Sequence, residues 1–172
     1  MQQTMKRIWL YFTAFKNVRH YQSHLKNEHI ETLRQAIVKA EQGHQGEIRL
    51  VIEHQLPLSL ILKKSTARQR ALQWFSDLHM WDTENNTGIL LYLLLNEKKI
   101  EIIADRGIAA QVSQEQWNHI CLELQNQISA KQILTGLTTS IHQFGQLLSQ
   151  HFPHVANENN PDELSNTPII II

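Results

Sequence analysis

Acidic and amide side chains recur at three points in this sequence: Glu41, His44 and Glu47; then Asp82, Glu84, Asn85 and Asn86; then Asp105 beside Arg106. Carboxylates and amide oxygens are the donors that a hard cation such as Ca2+ or Mg2+ takes, and an imidazole can sit among them. Held together without a cation, the carboxylates would repel and some pKa values would rise. The competing reading is that these acids cap helices and turns, with Asp82 and Thr83 bonding nearby backbone. Asp82-Thr-Glu-Asn-Asn is not an EF-hand loop, because the chain enters a strand at Gly88 instead of continuing to a twelfth-position Glu.

Other chemistries have less support. Cys121 is the one cysteine, so no internal disulfide forms, and among Ile120, Leu124 and Ile128 it reads as a buried structural thiol. The ten histidines are scattered, with no His-Glu-x-x-His pattern for zinc. His151-Phe-Pro-His154 reads as a helix end with solvated histidines, and no serine or cysteine nucleophile motif is visible. Arg68 and Arg70 read as solvated surface charges. Sixteen basic residues balance sixteen acidic ones. A chain without basic excess is not a dedicated nucleic-acid binder, and no organic cofactor motif occurs.

The elements that must position these residues are legible from periodicity. Ile30, Leu33, Ile37 and Ala40 mark an amphipathic helix from about Glu28 to Gln42, with Gly43 where a C-cap glycine belongs. A strand at 48–53 puts Ile48, Leu50 and Ile52 on one face. His54 to Ser65 is apolar but holds Pro57, and reads as a loop on the core or a short edge strand. Thr66 caps a helix with Ala67, Ala71, Trp74, Phe75 and Leu78 inward. Ile89 to Leu95 has no polar alternation, as expected of a strand covered on both faces. Asn96 to Lys99 is a turn into a second strand at 99–104, making a hairpin. Ser113-Gln-Glu-Gln116 is a capping box opening a helix through Ile128, and Leu134 to Leu148 forms a last helix before Pro153.

The helix between the strands at 48–53 and 89–95 is a crossover, which makes those strands parallel. Both then start at one end of the sheet, and the hairpin returns its second strand to that end. The three acidic loops therefore meet there, with the helix from Ser113 starting close by.

From Gly46 to about Phe152 the chain resembles the TPM domain family, best known from thylakoid lumen phosphatases linked to photosystem II repair. The resemblance rests on Trp81-Asp-Thr-Glu-Asn-Asn-Thr-Gly88 leading into Ile-Leu-Leu-Tyr, and on Ile100-Glu-Ile-Ile103 ending in Ala104-Asp-Arg-Gly107. It is nearest to short bacterial members, through Glu41, His44, Gly46-Glu-Ile48, Arg68, Trp117, His151-Phe-Pro153 and Asp162-Glu-Leu164 followed by Pro168. It implies a three-layer α/β/α sandwich around a small mixed sheet of three to five strands, in agreement with the periodicities. It also implies an acidic cleft that binds divalent cations, with phosphatase activity in some members. Many relatives carry a signal peptide or a membrane helix, and Arg106 stands where many have a small residue or glycine.

The expected organisation is a helical segment at 1–26, the α/β/α domain at 27–153 and an extended tail at 154–172. Ile169 to Ile172 is expected to add a strand to the sheet edge or to expose a hydrophobic end. No apolar run approaches the roughly eighteen residues that span a bilayer. Ile8 to Phe12 lacks a cleavage site after it, so the expectation is a cytoplasmic chain, peripheral to membrane at most. Two functions compete. In one, a non-enzymatic module binds Ca2+ or Mg2+ through Asp82, Glu84, Asn85, Asp105, Glu47, Glu41 and His44, and docks a protein partner, a membrane protein among the candidates. In the other, a metal-assisted phosphatase uses Asp82, Asp105 and Arg106 on a phosphate ester.

Overall fold

The structure, a computed structural model, describes residues 2–13, 26–153 and 164–171 of the chain. In order, the described elements are α1 (Gln2–Thr13), α2 (Asn27–Ala40), β1 (Ile48–Glu53), α3 (Leu58–Leu62), α4 (Ala67–Asp77), β2 (Ile89–Leu94), β3 (Lys99–Ala104), α5 (Arg106–Gln111), α6 (Gln114–Ser129), α7 (Ile133–His151) and β4 (Ile169–Ile171).

The four strands form one mixed sheet in the order β3-β2-β1-β4. β1 runs parallel to β2, Ile48 opposite Ile89 and Glu53 opposite Leu94. β2 and β3 are the antiparallel hairpin, with Ile89 opposite Ala104 and Leu94 opposite Lys99. β4 adds to the far edge of β1 in parallel, Val51 opposite Ile169. The expected strand pairing is therefore the observed one, and the terminal isoleucines supply the edge strand.

Strand alternation sorts the core into two layers. Ile48, Leu50, Ile52, Ile89, Leu91 and Leu93 share one core with Leu33 and Ile37 of α2, Trp117 and Leu124 of α6, and Ile141 and Phe144 of α7. Val51, Leu90, Tyr92 and Leu94 share the other with Ile61 of α3, Ala71 and Phe75 of α4, and Ile8 and Tyr11 of α1. Helices thus cover both faces, giving a three-layer α/β/α arrangement. That is why both central strands are buried at every position. The α2 and α7 backbones come close at Gly145, where any Cβ would press on Ala40.

Two local expectations change. Residues 58–62 form a short helix instead of a loop or edge strand. Pro57 precedes its first turn, where a missing N–H costs nothing. After Asp105 the chain makes the extra helix α5 before α6 begins. The N-terminal segment is helical over Gln2–Thr13 and rests on α3; the part of that expectation covering 14–25 lies outside the described residues, as does 154–163 of the tail.

Candidate functional site

The loops before β1, before β2 and after β3 meet at one end of the sheet, and short polar contacts join them. Asn85 donates from Nδ2 to Gln45 Oε1 at 2.7 Å, and Thr87 Oγ1 donates to the Gln45 carbonyl at 2.7 Å. Thr83, itself buried, receives the Thr87 N–H on its hydroxyl at 2.9 Å, closing the 83–87 turn. Asn86 sits at φ 53°, a left-handed conformation that Asn tolerates better than most residues. Its carbonyl accepts from Gly107 N at 2.9 Å, and its Oδ1 accepts from Arg106 Nε at 2.8 Å. Only glycine fits at 107, because a Cβ there would overlap the Asn85 and Asn86 carbonyl oxygens.

The candidate residues have different environments. Asp105 caps α5, its Oδ1 accepting from Arg106 N at 2.7 Å, while its Oδ2 is buried and makes no hydrogen bond. Asp82 and Glu84 are exposed on the neighbouring loop, next to Trp81, which is 52 % exposed and meets His79 edge-on. Arg106 is exposed at the same junction.

The first loop departs most from a ligand set. His44 is fully buried; its Nε2 lies 2.5 Å from the Ala40 carbonyl and its Nδ1 accepts from Gly46 N at 3.0 Å. Both ring nitrogens are committed to backbone, as in the Nε2–H tautomer, and burial pulls the imidazole pKa down. Glu41 Oε1 accepts from Ile48 N at 2.7 Å and so fastens the start of β1 to the end of α2. Glu47 is buried, and both Glu41 and Glu47 act on Arg49 of β1. Burial pulls the Arg49 guanidinium pKa down while these two carboxylates push it back up. A protein cation therefore already answers the acids of this loop. The periodicity could show that Arg49 faces away from Ile48 and Leu50, but not which acids it meets.

A divalent cation at this junction would find oxygen donors only. Among the described residues, no three His, Cys, Asp or Glu side chains are gathered closely enough to form a metal centre. Asp105 Oδ2 is a buried carboxylate oxygen there without a hydrogen bond, of the donor type that calcium and magnesium take.

A second polar cluster lies on the α4 side of the sheet, and it overturns the reading of Arg70 as a solvated surface charge. Glu53, only 1 % exposed, receives Arg70 Nη2 at 2.6 Å and Nε at 3.0 Å, and the Tyr92 hydroxyl at 2.7 Å. The guanidinium stacks over Trp74 at 4.8 Å. Burial first, then the Glu53 carboxylate, drive the Tyr92 pKa upward. Arg68 is exposed as expected, but it also donates to the Ile102 carbonyl at 2.7 Å on the outer edge of β3. That contact blunts one free sheet edge.

Comparison with known proteins bears on this geometry. A family model described as the TPM domain matches residues 18–147. This chain belongs to the TPM domain family. The TPM fold here is similar to the NMR structure of the BA42 protein from the psychrophilic bacterium Bizionia argentinensis. The TM-score is 0.74 at 29 % identity, over 85 % of this chain and 94 % of that one. It is also similar to the N-terminal domain of a P. gingivalis protein, with TM-score 0.62 at 16 % identity over 76 % and 82 % of the two chains. Among curated proteins, none matches. Within the TPM domain, the Trp81–Gly88 loop and Asp105–Gly107 are the segments that the hydrogen bonds above fasten together.

Proposed function

We propose that this TPM domain is a non-enzymatic interaction module whose converged loops bind a divalent cation and present a protein-contact rim. The observation that carries this reading is Asp105 Oδ2, a buried carboxyl oxygen without a hydrogen bond at the meeting point of the loops. An orphaned buried acceptor is costly unless a ligand satisfies it. The rim beside it carries Trp81, Asp82, Glu84 and Arg106 on the surface. A half-exposed tryptophan ringed by charge is the composition of a binding hot spot.

The geometry supports binding over catalysis. Arg106, the residue cast to balance phosphoryl charge, is tied through Nε to Asn86. The test is hydrolysis of p-nitrophenyl phosphate by the full chain with magnesium, with calcium and with chelator. The expected result is no turnover above background in any of the three. Turnover that needs the cation and disappears in Asp105→Asn would make the chain a metal-assisted phosphatase instead.

A further inference from the structure

The charges of this neutral chain are unevenly distributed. Residues 1–27 include Lys6, Arg7, Lys16, Arg19 and Lys26 and no acid; residues 54–76 include Lys63, Lys64, Arg68 and Arg70 and no acid. The fold brings the described parts of these two segments into one layer, α1 resting on α3. α1 is pinned to the β2–β3 turn by Arg7 Nε to Glu97 at 2.8 Å, and by Asn96 Nδ2 to the Leu10 carbonyl at 3.4 Å. Ile8 and Tyr11 face inward onto the core.

Helical geometry then fixes what faces outward. Lys6 and Trp9 lie on the side of α1 turned away from Ile8 and Tyr11, and Met5 flanks it one turn before Trp9. Met5 and Trp9 are each 66 % exposed, and Leu62 at the end of α3 is 60 % exposed. Lys6, Lys63 and Lys64 are exposed as well. With Arg7 and Arg70 bonded to Glu97 and Glu53, these three lysines are the outward charges of α1 and the α3 end. Large apolar side chains next to lysines, on segments free of acid, are the features of a helix that lies in a membrane interface. Tryptophan belongs at the headgroup level, and lysines draw the surface toward anionic lipid. No described helix is long and apolar enough to cross a membrane, so contact would be along the surface.

We propose that α1 and the end of α3 form a docking face for an anionic lipid bilayer. The face lies toward the β2–β3 turn, at the sheet end opposite the converged loops, so a docked molecule holds the Trp81–Asp105 rim away from the lipid. This inference is independent of cation binding at that rim.

The experiment is flotation of the full chain with vesicles of phosphatidylcholine alone and with vesicles containing one-third phosphatidylglycerol. The wild type should float with the anionic vesicles, bind the neutral ones far less, and release as salt rises. Lys63→Gln/Lys64→Gln, at two exposed positions, should weaken anionic binding about 30-fold, from roughly a fivefold effect per lysine. Trp9→Ser should also weaken it, about tenfold or more, while Leu122→Ser, exposed on α6 in the opposite layer, should bind as wild type. Melting curves confirm that each variant is folded. Failure of the wild type to bind anionic vesicles overturns the proposal. So does binding that the lysine pair leaves unchanged, and so does self-association through Trp9 without vesicle binding.

Discussion

Replacing Arg70 by alanine breaks a buried ion pair, the one between Arg70 and Glu53. Glu53 is 1 % exposed and takes two guanidinium hydrogen bonds, at 2.6 and 3.0 Å, plus the Tyr92 hydroxyl at 2.7 Å. Without Arg70, a carboxylate remains on a buried strand with Tyr92 as its remaining named donor. Leaving one member of a buried pair uncompensated costs about 3–5 kcal/mol. Loss of the stacking on Trp74 adds roughly 0.5–1 kcal/mol. For a domain of this size each kcal/mol lowers Tm by about 2–4 °C, so the expected drop is roughly 7–24 °C. Urea unfolding followed by circular dichroism measures the free energy, with an unchanged m-value confirming that only stability moved. The double variant Glu53→Gln/Arg70→Met should recover most of the loss, because a neutral pair of similar volume removes the stranded charge. A loss in Arg70→Ala no larger than an ordinary surface change, about 0.5 kcal/mol, would refute this reasoning. It would mean that Glu53 reaches water or holds a proton.

Two further outcomes follow from the same structure. The pKa values of His44 and His54 are pulled below 6.5 by burial, so the unfolded chain takes up protons more readily; stability is complete above that pH and declines as pH falls below it. Urea midpoints from pH 7.5 to 5 should show the decline, and His44→Gln/His54→Gln should flatten it. Gly107→Ala forces a methyl against the Asn85 and Asn86 carbonyls; it should cost about 1–3 kcal/mol by thermal melting and detach the Trp81–Gly88 loop from α5.

Much of the framework was legible because its signals are local. The crossover helix between residues 53 and 89 made β1 and β2 parallel, and Asn96–Lys99 made the hairpin. Thr66 and Ser113 cap their helices as their spacing indicates, each in a capping box. What escaped was either short or distant. Leu58–Leu62 and Arg106–Gln111 are too brief to display a helical period, although Pro57 and Asp105 are valid start signals. Arg70 looked solvated because its partners, Glu53 and Tyr92, come from two strands far away in sequence.

The meeting of the three loops was legible through topology, yet the chemistry at each residue was not. Residue type alone made His44 a ligand candidate, whereas both its ring nitrogens bond backbone at Ala40 and Gly46. Glu41 likewise bonds Ile48 N, and buried Arg49 sits under the influence of Glu41 and Glu47. Alternation places such a side chain on a face, but only the folded chain says what meets it there. Asp105 lies at the loop junction, where the folded chain shows it capping α5.

The cap at Oδ1 and the unbonded Oδ2 make Asp105→Asn the sharpest probe of the proposed cation binding. Asparagine caps a helix as well as aspartate does, so Oδ1 keeps its bond to Arg106 N while the charge at the buried Oδ2 is lost. A cation that binds only the folded loops adds about RT ln(1 + [L]/Kd), roughly 2.7 kcal/mol at a hundredfold excess over Kd. The measurement is the melting midpoint of wild type and Asp105→Asn, each in millimolar calcium and in chelator. Calcium should raise the wild-type midpoint by several degrees and leave that of Asp105→Asn in place. A wild-type midpoint unmoved by calcium, or an equal rise in both proteins, would contradict a cation site at the converged loops.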